Sequence, residues 1–136
     1  MGVFALGLNH TTAPLDLRVN VLKAKREDVL KSLSVAGLRC APTPFSPWGI
    51  RVPGKPALQN FEAFVRGVVE VQDEGSQLLA LLVDAKRGEM VVDFCAGAGG
   101  KTLALAALRR GSGQVFACGV SVARLERLRP RLARSG

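Results

Sequence analysis

Between Asp93 and Thr102 the chain reads Asp93-Phe94-Cys95-Ala96-Gly97-Ala98-Gly99-Gly100-Lys101-Thr102, set between an apolar β-branched run, Met90 to Phe94, and an apolar segment, Leu103 to Leu108. A glycine-rich turn from a strand into a helix reverses the chain sharply. It also admits a ligand close to the backbone with no Cβ in the way, and aims helix N-terminal amides at negative or polar groups. That is the chemistry of a cofactor cradle, with Cys95, Ala96, Gly97, Ala98, Gly99, Gly100 and Lys101 as its candidate residues. Two familiar ligands fit poorly. A P-loop needs glycine at position 95, where Cys95 stands, and the dinucleotide fingerprint begun at Gly97 needs glycine at 102, where Thr102 stands. The bland alternative is a tight βα turn that binds nothing.

The other reactive groups are few. Cys40, Cys95 and Cys118 are an odd number without CxxC spacing, and His10 is the only histidine, which argues against a disulfide framework and against a zinc or other metal site. Reduced thiols and a cytoplasmic location are expected. No apolar run approaches the roughly 18 residues needed to cross a bilayer, so a membrane partner is not expected. The net charge of +8 is unevenly spread. Residues 1–93 carry a net of +1, whereas residues 94–136 carry +7, with Lys101 and seven arginines against Glu126 alone. Arg124, Arg127, Arg131 and Arg134 follow at three- and four-residue spacing, so one continuous helix would gather them on one surface. Such a surface suits a polyanion, nucleic acid first, because Lys and Arg release counterions from phosphates. A solvated arginine-rich face is the alternative.

These groups need elements to position them. Leu15, Leu17, Val19 and Val21 alternate with polar residues, the period of a half-buried strand, and Lys25 to Gly37 has helical spacing with Glu27 and Asp28 early and glycine at its end. Arg39 to Val52, with three prolines, must be extended or turning and ends in a short strand at Gly49 to Val52. The result is a small β-α-β module. A connector with some helix potential around Pro56 to Phe64 leads to a second helix, Gln72 to Ala85. Met90 to Phe94 then reads as a buried parallel strand, followed by the glycine-rich turn, a helix, a strand at Gln114 to Cys118 and a helix from Val122 to Leu132 that Pro130 should kink or restart. Strand, turn, helix, strand, helix is the opening of a doubly wound α/β sheet.

The run Asp93 to Thr102 resembles the first S-adenosylmethionine motif of the Sun/Nop2 family of RNA cytosine-5 methyltransferases, D-x-C-A-x-P-G-G-K-T, with Ala98 in place of the usual proline. Val71-Gln72-Asp73-Glu74-Gly75-Ser76 resembles the family's V-Q-D-x-x-S element, and Leu17-Arg18-Val19-Asn20-Val21-Leu22-Lys23 its L-R-V-N-T-L-K strand. The resemblance covers about residues 15–136 and is nearest to the bacterial 16S ribosomal RNA branch. It implies an α/β protein: a small RNA-recognition-like module over 15–66, then the first part of a Rossmann-like methyltransferase domain over 67–136. It also implies S-adenosylmethionine as cofactor and ribosomal RNA as partner.

The resemblance implies absences too. In this family one cysteine attacks cytosine C6 and a second, in a D-A-P-C type motif, helps release the product; both lie beyond the second βα unit, so none of the three cysteines inherits a catalytic role. The expectation is a fragment that is inactive by itself, with a non-catalytic RNA-binding module as the alternative. The family's pattern places an acidic ribose partner at position 119, where this chain has Gly119. A sheet begun with only two parallel strands leaves edges and apolar surface open to self-association. Finally, residues 1–18 resemble the start of glutamyl-tRNA reductase, which makes 1–14 a leader of uncertain origin: a fused, misannotated or recombined frame, or chance similarity.

Overall fold

In β1 (Leu15–Val19) the alternation read from the sequence sends Leu17 and Val19 to one face, where both are fully buried, and Asp16 and Arg18 to the other. The computed structural model describes residues 13–136, so the reductase-like opening Met1 to Thr12 lies outside the described residues. α1 (Arg26–Val35) starts on the acidic Glu27 and Asp28, as the helix dipole favours, and buries Val29 and Leu33 over the sheet. Three further strands complete that sheet: β2 (Ala41–Pro42), β3 (Gly49–Val52) and β4 (Val69–Val71), in the antiparallel order β2-β3-β1-β4. A 3-10 turn at Leu58–Asn60 and α2 (Glu62–Val65) join β3 to β4. Leu17, Ile50, Val52 and Val69 meet Val29 and Leu33 in one core.

The expected β-α-β unit is therefore larger than the sequence suggested. β2 is a two-residue edge strand containing proline, which only an edge tolerates. β4 is three residues long, too short for a period to register, yet Arg18 pairs with Glu70 and Val19 with Val69 across it. The sheet thus continues past the division expected between residues 66 and 67. β1 is also not half-buried. Arg18 is 3% exposed and Asn20 is buried, because the polar face of this sheet is covered by the second half of the chain.

That half begins with α3 (Glu74–Leu82). Asp73 caps it by accepting the Ser76 amide at 2.9 Å, and Gln77, completely buried, donates from Nε2 to the carbonyls of Leu17 and Gln72. β5 (Met90–Asp93) and β6 (Gln114–Ala117) pair in parallel, from Met90 opposite Gln114 to Asp93 opposite Ala117, with α4 (Gly100–Leu108) as the crossover. Ala80 of α3 and Ala104 of α4 let these two helices approach closely over Val91. β5 departs from the buried strand expected. Met90 is 69% and Val92 56% exposed, with Phe116 of β6 exposed beside them. Helices cover only the face carrying Val91 and Asp93, and Cys118, just past β6, is half-buried for the same reason.

The last expected helix is two. Ser121 caps α5 (Val122–Glu126), and α6 (Leu128–Ser135) restarts at once. Pro130 falls in the first turn of α6, where its missing N–H removes no helical bond.

Candidate functional site

Asp93 ends β5 with its carboxylate buried, and its Oδ2 accepts the Thr102 hydroxyl at 2.7 Å, tying the strand to the first turn of α4 across the glycine-rich turn. The P-loop likeness fails on this bond, since the hydroxyl that would meet a phosphate-bound metal is committed inward. Backbone bonds fix the rest: Ala96 donates to the Cys118 carbonyl (2.9 Å), Cys118 to that of Asp93 (2.8 Å), and Gly99 to that of Ala96 (2.8 Å). Gly99 precedes α4 with φ +87°, a conformation that glycine adopts without strain. A Cβ there would lie 2.1 Å from Leu128 Cδ1. At Gly97, φ +57°, a Cβ would meet nothing within 4 Å. Gly97 faces open space while Gly99 packs against α6.

The open space is a pocket of about 230 Å³ lined by Phe94, Cys95, Gly97, Gly119, Val120, Ser121, Arg124 and Leu125. It lies where the loops after two parallel strands meet, the place at which doubly wound sheets take their ligands. Of the expected cradle, Cys95 and Gly97 line it. Ala96 is buried beneath, Ala98 turns its carbonyl to Arg131, and Gly100 and Lys101 form the first turn of α4, whose leading amides lack helical partners. Gly119 borders the pocket as the family's spacing required, with its nearest neighbour, Leu125 Cδ2, 3.6 Å from where a Cβ would sit. Phe94, Val120, Ser121 and Leu125 went unnoticed in the sequence, although the pairing of the two strand-end loops was the signal that could have found them.

The four arginines do not form one surface. Arg124 borders the pocket and Arg127 is exposed at the junction of α5 and α6. Arg131 and Arg134 turn inward, both onto Glu70 of β4, at 2.9 Å and 2.8 Å. Arg131 also donates to the Ala98 carbonyl at 2.6 Å, and Arg134 lies 4.4 Å over the Phe64 ring. The cause is the break in the helix, which lets α6 dock on the first sheet while α5 stays with the pocket. Glu70 sits beside a third cation: Arg18 donates to Gln72 Oε1 at 2.7 Å, and burial lowers its pKa to about 10 against the opposing pull of Glu70.

Among the described residues no basic side chain is hydrogen-bonded to a thiol. Cys40 donates to the Leu30 carbonyl, and burial pushes its pKa up, away from thiolate. Cys95 is exposed on the turn and Cys118 half-buried behind it. Among the described residues no three His, Cys, Asp or Glu side chains gather where they could hold a metal ion, and no helix is long and apolar enough to cross a membrane.

Comparison with known proteins bears on this site. Residues 6–59 match the RsmF/B-like methyltransferase ferredoxin-like domain, and residues 80–136 match the 16S rRNA methyltransferase RsmB/F family. The first of these overlaps the reductase-like opening, for which no support emerges. A ribosomal RNA small subunit methyltransferase B from Pseudomonas syringae is 34% identical over 128 residues, 94% of this chain and 29% of that protein. A probable one from Synechocystis is 36% identical over 104 residues, 76% of this chain and 23% of its own length. The chain thus spans less than a third of the curated relatives it matches. Among solved structures, a methyltransferase homologue from Pyrococcus horikoshii superposes with TM-score 0.82 at 32% identity over 90% of this chain and 41% of its own. The crystal structure of PH0851 gives 0.89 at 34% identity, over 94% of this chain and 29% of its own.

Proposed function

The chain belongs to the RsmB/F family of 16S rRNA methyltransferases, the bacterial branch of the Sun/Nop2 methyltransferases, and from that premise we propose that its glycine-rich turn binds S-adenosylmethionine for methylation of cytosine C5 in ribosomal RNA. The observation that carries this is the pocket between the turn and the loop after β6, bounded by Cys95, Gly97 and Gly119 at the carboxyl ends of two parallel strands. When bound, the cofactor supplies an electrophilic methyl group. Cys95 and Gly97 would hold it along the turn, and the first amides of α4 would meet its polar groups. Gly119 offers no carboxylate to a ribose. A missing bidentate partner costs about 1.5–3 kcal/mol, tenfold or more in affinity, so binding is weak.

RNA binding rests in this reading on Arg124, Arg127 and Lys101, and is electrostatic and tolerant of sequence. Arg131 and Arg134, held on Glu70, contribute through the architecture. Methyl transfer to C5 requires a thiolate that adds to C6 and is later expelled. With Cys40 held as a thiol and no activating contact at the other two, the 136 residues bind without turnover. The glycine at 119 also favours a second reading, an RNA-binding module with a vestigial cofactor site.

Calorimetry with S-adenosylmethionine on the wild type and on Gly97→Val separates the two. Binding that is lost in the variant, whose side chain enters the pocket, supports the cofactor site; equal affinity, or none in either protein, leaves the RNA-binding module. For turnover, labelled S-adenosylmethionine and unmodified ribosomal RNA are incubated with the purified chain. Multiple turnovers abolished by Cys40→Ser or Cys95→Ser would overturn the claim of inactivity.

A further inference from the structure

We infer that Arg131 is a positioning residue for the cofactor turn, locking one peptide unit through Glu70 of the other module; for the ligand this rests on the binding proposed above. The peptide joining Ala98 to Gly99 is gripped at both ends. Its carbonyl accepts from Arg131 Nη1 at 2.6 Å, and its N–H donates to the Ala96 carbonyl at 2.8 Å. Because a trans peptide is planar, its carbonyl and N–H point in opposite directions, and rotating the unit breaks both bonds together. Gly99 makes such a rotation cheap, since glycine populates both signs of φ about equally. Without Arg131, one neutral bond within the four-residue turn from Ala96 to Gly99 would set the direction of the amide that leads into α4.

Arg131 is itself held. Its Nε donates to Glu70 Oε2 at 2.9 Å, while Arg134 Nε occupies Oε1 at 2.8 Å, so a single carboxylate with 2% of its side chain exposed orients two guanidinium groups. The planar fork presents Nε to Glu70 and Nη1 to Ala98 at once, which a lysine ammonium on a flexible stem does not reproduce. Leu128, one helical turn earlier, fills the space against Gly99, so α6 meets the turn by a donor and by an apolar contact. Arg131 lines no part of the pocket; it acts through Ala98.

Arg134 is the matched comparison, sharing Glu70 but not the turn. Arg131→Lys and Arg134→Lys are compared with wild type by thermal melting, by hydrogen exchange at the amides of residues 97–101, and by calorimetry with S-adenosylmethionine. The expectation is that both keep a cooperative melt. Only Arg131→Lys speeds exchange at those amides, and it weakens the cofactor roughly five- to tenfold, the loss of one charge-assisted bond. Arg131→Gln, neutral but able to donate, recovers less than half of the exchange protection. Unchanged exchange in Arg131→Lys, or equal changes in the two lysine variants, overturns the positioning role. If the wild type binds no cofactor, the binding proposal fails separately, and the exchange comparison still decides for or against Arg131.

Discussion

Gly119 lines the pocket and Gly99 packs behind it against α6, and the structure assigns them opposite tolerances. At Gly99 a methyl group meets Leu128 Cδ1 at 2.1 Å on a backbone at φ +87°, so Gly99→Ala combines overpacking with left-handed strain. It should cost about 2–4 kcal/mol in urea denaturation. Because the collision is with α6 and not with a ligand, Leu128→Ala in the same chain should recover part of that loss; a double variant no more stable than Gly99→Ala contradicts this geometry. At Gly119 there is room, and Gly119→Asp restores the carboxylate that the pocket lacks. S-adenosylmethionine should then bind about tenfold more tightly by calorimetry. No gain would mean that the loop after β6 does not face the ribose.

At the scale of elements, α3 is pinned to the first sheet by its acidic start. Burial would raise the Glu74 carboxyl, but the amides of Ser46 (2.8 Å) and Phe45 (2.7 Å), the Thr43 hydroxyl and Arg51 outweigh it, so Glu74 titrates below the ordinary carboxylate range. Asp73 is lowered likewise, first by the Ser76 hydroxyl and then by its amide. A carboxylate depressed in the folded state stabilises above its unfolded pKa, and that stability disappears as pH falls through the folded value. Chemical denaturation should therefore show stability declining below about pH 4.5, with a shallower decline in Glu74→Gln; parallel acid profiles would exclude the role. The arginine helices separate by the same logic. Arg124→Ala and Arg127→Ala together should reduce the salt dependence of RNA binding between about 50 and 200 mM, whereas Arg134→Ala should lower the melting temperature and leave that slope alone.

Over the whole molecule, much of the architecture was legible because it rests on signals a sequence carries openly: alternation in β1, glycine between β5 and α4, and the acidic start of α1. β2 and β4 were not, being too short to show a period. The buried side of β1 was hidden for another reason. Arg18 and Asn20 look like solvent residues until distant segments cover them: Arg18 lies against Gln72 and α4, and Asn20 reaches Ser135 of α6, 115 positions later, once that helix docks. That long-range event also redirected Arg131 and Arg134, which local spacing had placed on an RNA surface. Among the described residues nothing covers the face of β5 and β6 bearing Met90, Val92 and Phe116, and such a patch beside strand edges favours association. Sedimentation velocity should show weight-average mass rising with concentration, and Val92→Lys with Phe116→Lys should suppress the rise; a strictly monomeric wild type would contradict it.

The docking of α6 also orders events in time. The Asn20 side-chain amide donates to the Ser135 carbonyl at 2.9 Å, and the Lys23 ammonium to that of Arg134, so the loop after β1 closes on residues 111 to 115 positions later. A nascent chain can assemble the apolar side of its first sheet as soon as β4 has emerged. Glu70, next to Arg18, must wait for the two arginines of α6. Contacts of this sequence separation are slow to form, because loop closure is unfavourable before any bond compensates for it. Until residues 131–135 have been made, Glu70 lacks both of its α6 guanidinium partners and Asn20 lacks the Ser135 carbonyl, so the helix that grips the glycine-rich turn also completes the polar face of the first sheet.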